Sequence, residues 1–233
     1  MIKVRRNKDR GLANLDWLHS KHSFSFAEYS DEKYMGFGPL RVINEDQIKP
    51  GTGFGTHGHQ NMEILSYVLK GELEHADNMG NGSIIKPGER QRMSAGTGIR
   101  HSEKNPSSTK TNHFFQIWIK PSIYGISPSY EQNKIPEISR EGSLCLIGSP
   151  DGRGDSVTIH QDAELYCSIL SPGDVLLHCI AKDRCVWIQL ASGRIEVNKF
   201  QISKGDGVSI IEEKFVEINA IEKSELLLFD LIQ

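Results

Sequence analysis

Short apolar runs, each closed by a turn signal within about 8 to 12 residues, restrict this chain to an all-β sandwich or barrel. In the first half such runs cover 40–44, 62–69, 72–75, 83–86 and 113–119, with dense turn residues at Asn78-Met79-Gly80-Asn81-Gly82 and Pro87-Gly88. In the second half they recur at 143–147, 175–180, 184–190, 195–197, 207–211 and 226–228, separated by turns such as Ser171-Pro172-Gly173 and Ser192-Gly193. The punctuation comes from 22 Gly and 9 Pro spread over 233 residues, which disfavours long helices. A Pro-containing stretch from Pro121 to Pro136 divides the two series, so two β-rich domains are expected, residues 1–130 and 131–233.

The charge balance excludes several classes of partner. With 27 Lys plus Arg against 30 Asp plus Glu, the net charge of −3 gives nucleic acid no overall electrostatic reason to bind. No run approaches the roughly 20 apolar residues of a membrane helix, and the basic residues Lys3, Arg5, Arg6, Lys8 and Arg10 precede no signal-peptide core. Those charges are expected on a solvated edge strand. A cytoplasmic protein is therefore expected, without nucleic-acid or membrane partners. The four cysteines, Cys145, Cys167, Cys179 and Cys185, have no CxxC spacing and read as small buried thiols.

With nine His against four Cys, metal chemistry would be carried by imidazole. His57 and His59 stand two residues apart, as do His101 and Glu103. In a strand such pairs point to one face, so two neighbouring strands would bring three imidazoles and a carboxylate to one point. That donor set suits Fe, Zn, Co, Ni, Mn or Cu, and sequence does not choose among them. Glu63 shares the parity of His57 and His59 but would be aimed elsewhere by a bend between 58 and 62. Phe37, Phe54, Met62 and Trp118 are candidates for an apolar substrate pocket. The second half has His160, His178 and Glu196 but neither HxH nor HxE spacing, so no metal is expected there.

Gly51, His57, His59, Glu63 and Gly71 follow the first cupin motif, with one residue more than usual before the last glycine. The second cupin motif is met loosely: Gly88 and Gly96 are in register, Ser94 replaces a proline, and His101 and Asn105 arrive two residues late. That departure, in MSAGTGIRHSE at 93–103, resembles the pirin family, as do RVINED at 41–46, GTHGHQNMEILSYVLKGELEH at 55–75 and QIW at 116–118. The similarity covers the whole chain and is greatest to bacterial pirin-like proteins with quercetin 2,3-dioxygenase activity.

The resemblance implies a bicupin, two jelly-roll barrels in tandem. Its N-terminal barrel would hold one divalent transition metal, iron among the candidates, through His57, His59, His101 and Glu103. It further implies an enzyme that opens the central ring of a flavonol such as quercetin with O2 and releases carbon monoxide, with Glu103 as base as well as ligand. Two other readings go with the family: a metal-gated regulatory protein with a protein partner, and a cupin enzyme acting on a different phenolic substrate.

Overall fold

The computed structural model describes residues 1–233. Its regular structure is almost entirely antiparallel strand, with one four-residue α-helix at Glu137–Arg140 and three short 3-10 turns. No helix is long and apolar enough to cross a membrane. The chain divides into two compact units, each with one large and one four-stranded sheet.

The first unit comprises residues 11–134 and 157–161. Its large sheet runs in the order Ser129–Lys134, Glu89–Ser94, Glu63–Lys70, Asn112–Ile119, Leu40–Ile48, Leu18–His22 and Gly11–Asn14. Its small sheet runs Gly53–His59, Ile99–Lys104, Leu73–Asp77 and Gly82–Ile85. The second unit takes in residues 1–10, 135–156 and 162–233. Its large sheet starts at the edge strand Ile2–Arg5 and continues through Gly207–Ile211, Arg184–Ser192, Ser224–Ile232, Ala163–Leu170 and Cys145–Ser149. Its small sheet contains Val175–Cys179, Phe215–Ala220, Arg194–Val197 and Phe200–Ser203.

This division departs from the contiguous 1–130 and 131–233 in three places. Residues 1–10 join the second unit because Ile2–Arg5 pairs along Gly207–Ile211, with Ile2 opposite Ile210. Residues 131–134 stay with the first unit because Ser129–Lys134 pairs with Glu89–Ser94. The segment 157–161 returns to that unit, where Thr158 N donates to Glu131 Oε2 at 3.0 Å. Three of the cysteines are buried, but Cys179 is exposed at a strand end.

Period-two alternation explains why the interiors of the two units differ. In the second unit, inward positions are apolar along whole strands: Val186, Ile188 and Leu190 pack with Val208, Ile210, Leu226 and Leu228 in one continuous core. In the first unit the same alternation is interrupted. Ile64, Ser66 and Val68 share one face of their strand, as do Phe114, Gln116 and Trp118 on the next. Val68 and Phe114 belong to one apolar cluster with Leu18, Ile48, Leu73 and Ile85, while Ile64 packs with Met93, Ala95, Ile99 and Trp118 in another. Between the two clusters lies a buried polar layer that includes Asn44, Ser66, His75, His101, Glu103 and Gln116. Buried polar groups are costly unless paired, so this layer marks where the fold has been shaped for something other than packing.

Candidate metal centre

The small sheet of the first unit builds the cluster. Gly53–His59 pairs antiparallel with Ile99–Lys104, setting His57 opposite His101 and Phe54 opposite Glu103. A register shift between those two pairs leaves one extra residue on the first strand, a bulge beside the cluster. The ring centroids of His57, His59 and His101 lie 4.5 to 4.9 Å apart, and a nitrogen from each falls within 4.8 Å of the others. His101 and Glu103 are buried, while His57 and His59 are half-buried and lie toward the opening.

Local hydrogen bonds prepare the nitrogens for a cation. His57 Nδ1 donates to the Gly55 carbonyl at 2.8 Å, leaving Nε2 as the lone-pair nitrogen. His101 Nε2 is buried without a hydrogen-bond partner. Burial, reinforced by the neighbouring imidazoles, lowers His59 to about 4 and His101 to about 3, so both are neutral near pH 7. Glu103 accepts from Gln116 Nε2 at 2.5 Å on Oε2 and from Ser66 Oγ at 3.3 Å on Oε1, which fixes the carboxylate.

Those depressed values predict an acid-sensitive fold in the metal-free protein. The unfolded chain takes up protons near pH 6.5 while the folded chain does not. Stability is therefore complete above pH 6.5 and falls as pH drops toward about 4 for His59 and about 3 for His101. Melting of the metal-free protein should drop by on the order of a few degrees between pH 7 and 4.5. Metal-free His101→Asn should lose less over the same interval; parallel curves would contradict the assignment.

A cavity of about 410 Å³ opens onto the cluster. Trp17, Phe26, Phe54 and Trp118 form aromatic walls, and His57, His59, Glu103 and Gln116 face it from the cluster side. Trp118 packs edge-on against His59, centroids 4.9 Å apart. Of the four candidate pocket residues, Phe54 and Trp118 line the cavity. Met62 instead joins the Ile64–Met93 cluster, and Phe37 bridges to Leu40 beyond the walls. Glu63 is turned away because Asn61 adopts a left-handed conformation, φ 50°, and breaks the strand after His59. Its carboxylate instead accepts from Ser94 Oγ at 2.9 Å and from the backbone N of His160 at 3.2 Å.

Sequence reasoning did not find Ser66, Gln116, His75, Asp77 or the N-terminal wall residues of the cavity. A usable signal was present for the first two: a polar residue interrupting an apolar alternation, as in Ile64-x-Ser66-x-Val68 and Phe114-x-Gln116-x-Trp118.

Residues 3–119 match the Pirin family and residues 146–231 the quercetinase C-terminal cupin domain. The chain belongs to the pirin family. Quercetin 2,3-dioxygenase of Escherichia coli K12 is 50% identical over 231 residues, 99% of either chain. A pirin-like protein of Caulobacter vibrioides is 40% identical, covering 94% of this chain and 95% of its own. The crystal structure of E. coli YhhW superposes with a TM-score of 0.96, at 50% identity over 99% of this chain and 97% of that one. Bacterial pirin YhhW in complex with nickel(II) superposes at 0.95, again 50% identical, covering 100% and 99%. These pirins share the two-unit, all-β cupin architecture.

Proposed function

We propose that this pirin is a metal-dependent dioxygenase that cleaves a flavonol such as quercetin with O2 and releases carbon monoxide. One observation carries the reading: the imidazoles of His57, His59 and His101 gather within 4.8 Å of one another beside an apolar, aromatic-walled cavity that Glu103 also lines, with His101 Nε2 buried and unpartnered. The E. coli relative named quercetin 2,3-dioxygenase, 50% identical, supports the substrate class.

The residues fit one divalent transition metal. His57, His59, His101 and Glu103 would hold it, and imidazoles with a carboxylate make a borderline N/O donor set. Iron, zinc, cobalt, nickel, manganese and copper are all compatible with that set; nickel(II) is the ion bound by the E. coli relative. Such an ion lowers the pKa of a bound hydroxyl and brings two reactants together. The chain's own residues do the rest. Trp17, Phe26, Phe54 and Trp118 take up a flat aromatic ligand and exclude water. Glu103, facing the cavity, accepts the proton of the flavonol 3-hydroxyl, while Gln116 and Ser66 keep its carboxylate from swinging away. We place the protein in the cytoplasm, where its four cysteines would stay free thiols.

The test is quercetin consumption by the metal-loaded protein, in air and anaerobically, with carbon monoxide measured in the headspace. Consumption should require oxygen and release about one carbon monoxide per quercetin, as the proposed ring opening demands. Loss without oxygen, or without carbon monoxide, would refute the reaction.

A further inference from the structure

Behind the cluster, on the side away from the cavity, two more buried side chains continue the line of His101. Pairing of Leu73–Asp77 with Ile99–Lys104 sets His75 opposite Glu103 and Asp77 opposite His101. His101 Nδ1 lies 3.4 Å from His75 Nδ1, and His75 Nε2 lies 3.1 Å from Asp77 Oδ2. The side chains of His75 and Asp77 are 0% exposed.

For one proton on each ring, a single placement satisfies this row. The Asp77 carboxylate can only accept, so His75 Nε2 carries a proton and donates it. His75 Nδ1 then bears a lone pair and accepts from His101 Nδ1–H. His101 Nε2 is left with its lone pair, and this is the buried atom that has no partner.

The row is held from both ends. Asp77 Oδ1 accepts from the backbone N of Met79 at 2.9 Å and of Asn81 at 3.1 Å, and Oδ2 accepts from Asn81 Nδ2 at 2.9 Å. Tyr130 stacks on the His75 ring with centroids 4.8 Å apart and is tied by its hydroxyl to Ser83 and Gln132. His75 also stands within ligand distance of His101 and Glu103. Both its nitrogens are engaged by His101 and Asp77, so neither is available to a cation.

We propose that His75 and Asp77 are a positioning pair that locks His101 in the tautomer and orientation needed to bind metal through Nε2, and so sets the metal affinity of the centre. This rests on the metal reading above but not on the dioxygenase reading. Neither residue touches substrate. Groups that orient a ligating histidine in this way typically contribute about 10- to 100-fold to metal affinity.

The test is nickel(II) titration of the metal-free protein by calorimetry, with visible absorption of the cobalt(II) form as a probe of coordination. His75→Phe, which removes the acceptor, should bind nickel about 10- to 100-fold more weakly. His75→Gln should recover most of the loss, because its oxygen can accept from His101 while its amide donates to Asp77. Its cobalt spectrum should match the wild type. Asp77→Asn should bind several-fold more weakly and decides the matter if His75→Phe does not fold. Wild-type affinity in His75→Phe or Asp77→Asn overturns the proposal, as does a His75→Gln variant no better than His75→Phe. A changed cobalt spectrum in His75→Gln also overturns it by making His75 a ligand. His101→Ala separates the two readings: full nickel affinity there removes the metal reading itself, whereas its loss beside an unaffected His75→Phe removes only the positioning role.

Discussion

Glu103→Gln should reduce flavonol turnover by about 10²- to 10⁴-fold, the range lost when a positioned general base is removed. The substitution preserves shape, and the new amide oxygen can still accept from Gln116 Nε2, which now donates to Glu103 Oε2 at 2.5 Å. What disappears is the negative charge and the ability to hold a proton. In the proposed centre the same atoms would ligate the metal, so weaker loading is expected too, and the two effects must be separated. Turnover measured at metal concentrations that saturate the variant isolates proton transfer. Metal content after desalting isolates ligation. His101→Ala sets the scale for ligation, since it deletes the nitrogen that is buried and unpartnered. A Glu103→Gln enzyme that turns over within threefold of wild type when fully loaded would leave the carboxylate no catalytic part.

The pairing of His57 with His59 and of His101 with Glu103 was legible because strand periodicity is a local property, readable within three residues. What holds these side chains in place was not. Ser66, His75 and Gln116 reach the cluster from strands brought together only by the sheets, and Gln116 lies opposite Ser66 through long-range pairing. The same limit governed the domain boundary. Ser129–Lys134 reads SYEQNK, without an apolar alternation, yet it is a strand because Glu89–Ser94 offers it an edge. That neighbour is itself disguised: Arg92 is buried, paired with Glu131 and bonded to Ser94 and Ser129, so a charged residue fills a core position. Composition marks such a stretch as solvent-facing, and only tertiary partners reverse the reading. Glu63 shows the opposite case: its parity with the histidines was correct along the sequence, and the bend at Asn61 cancelled it.

Gly53→Ala should destabilise the fold by on the order of 2 to 4 kcal/mol and loosen the metal centre with it, although it lies outside the ligand set. The strand Gly53–His59 contains three glycines, GFGTHGH, and they are not equivalent. A Cβ on Gly53 would sit 2.3 Å from the Glu103 carbonyl oxygen and 2.5 Å from Lys104 Cα, both backbone atoms that no rotamer change can move. Gly53 lies opposite Lys104 and Phe54 opposite Glu103, so relief of the clash requires the two strands that carry the proposed ligands to part at the carboxylate's own backbone. A methyl on Gly55 would meet nothing within 4 Å, and one on Gly58 nothing nearer than 3.7 Å. Neither position has the positive φ that would strain an alanine. Gly55→Ala and Gly58→Ala should therefore melt at or slightly above the wild-type temperature, since alanine restricts the unfolded chain. Gly53→Ala should melt several degrees lower, with weakened nickel binding. Equal melting temperatures for the three variants would mean that the sheet can open beside Glu103 at no cost. The close packing that fixes the carboxylate against the imidazoles would then have to come from elsewhere.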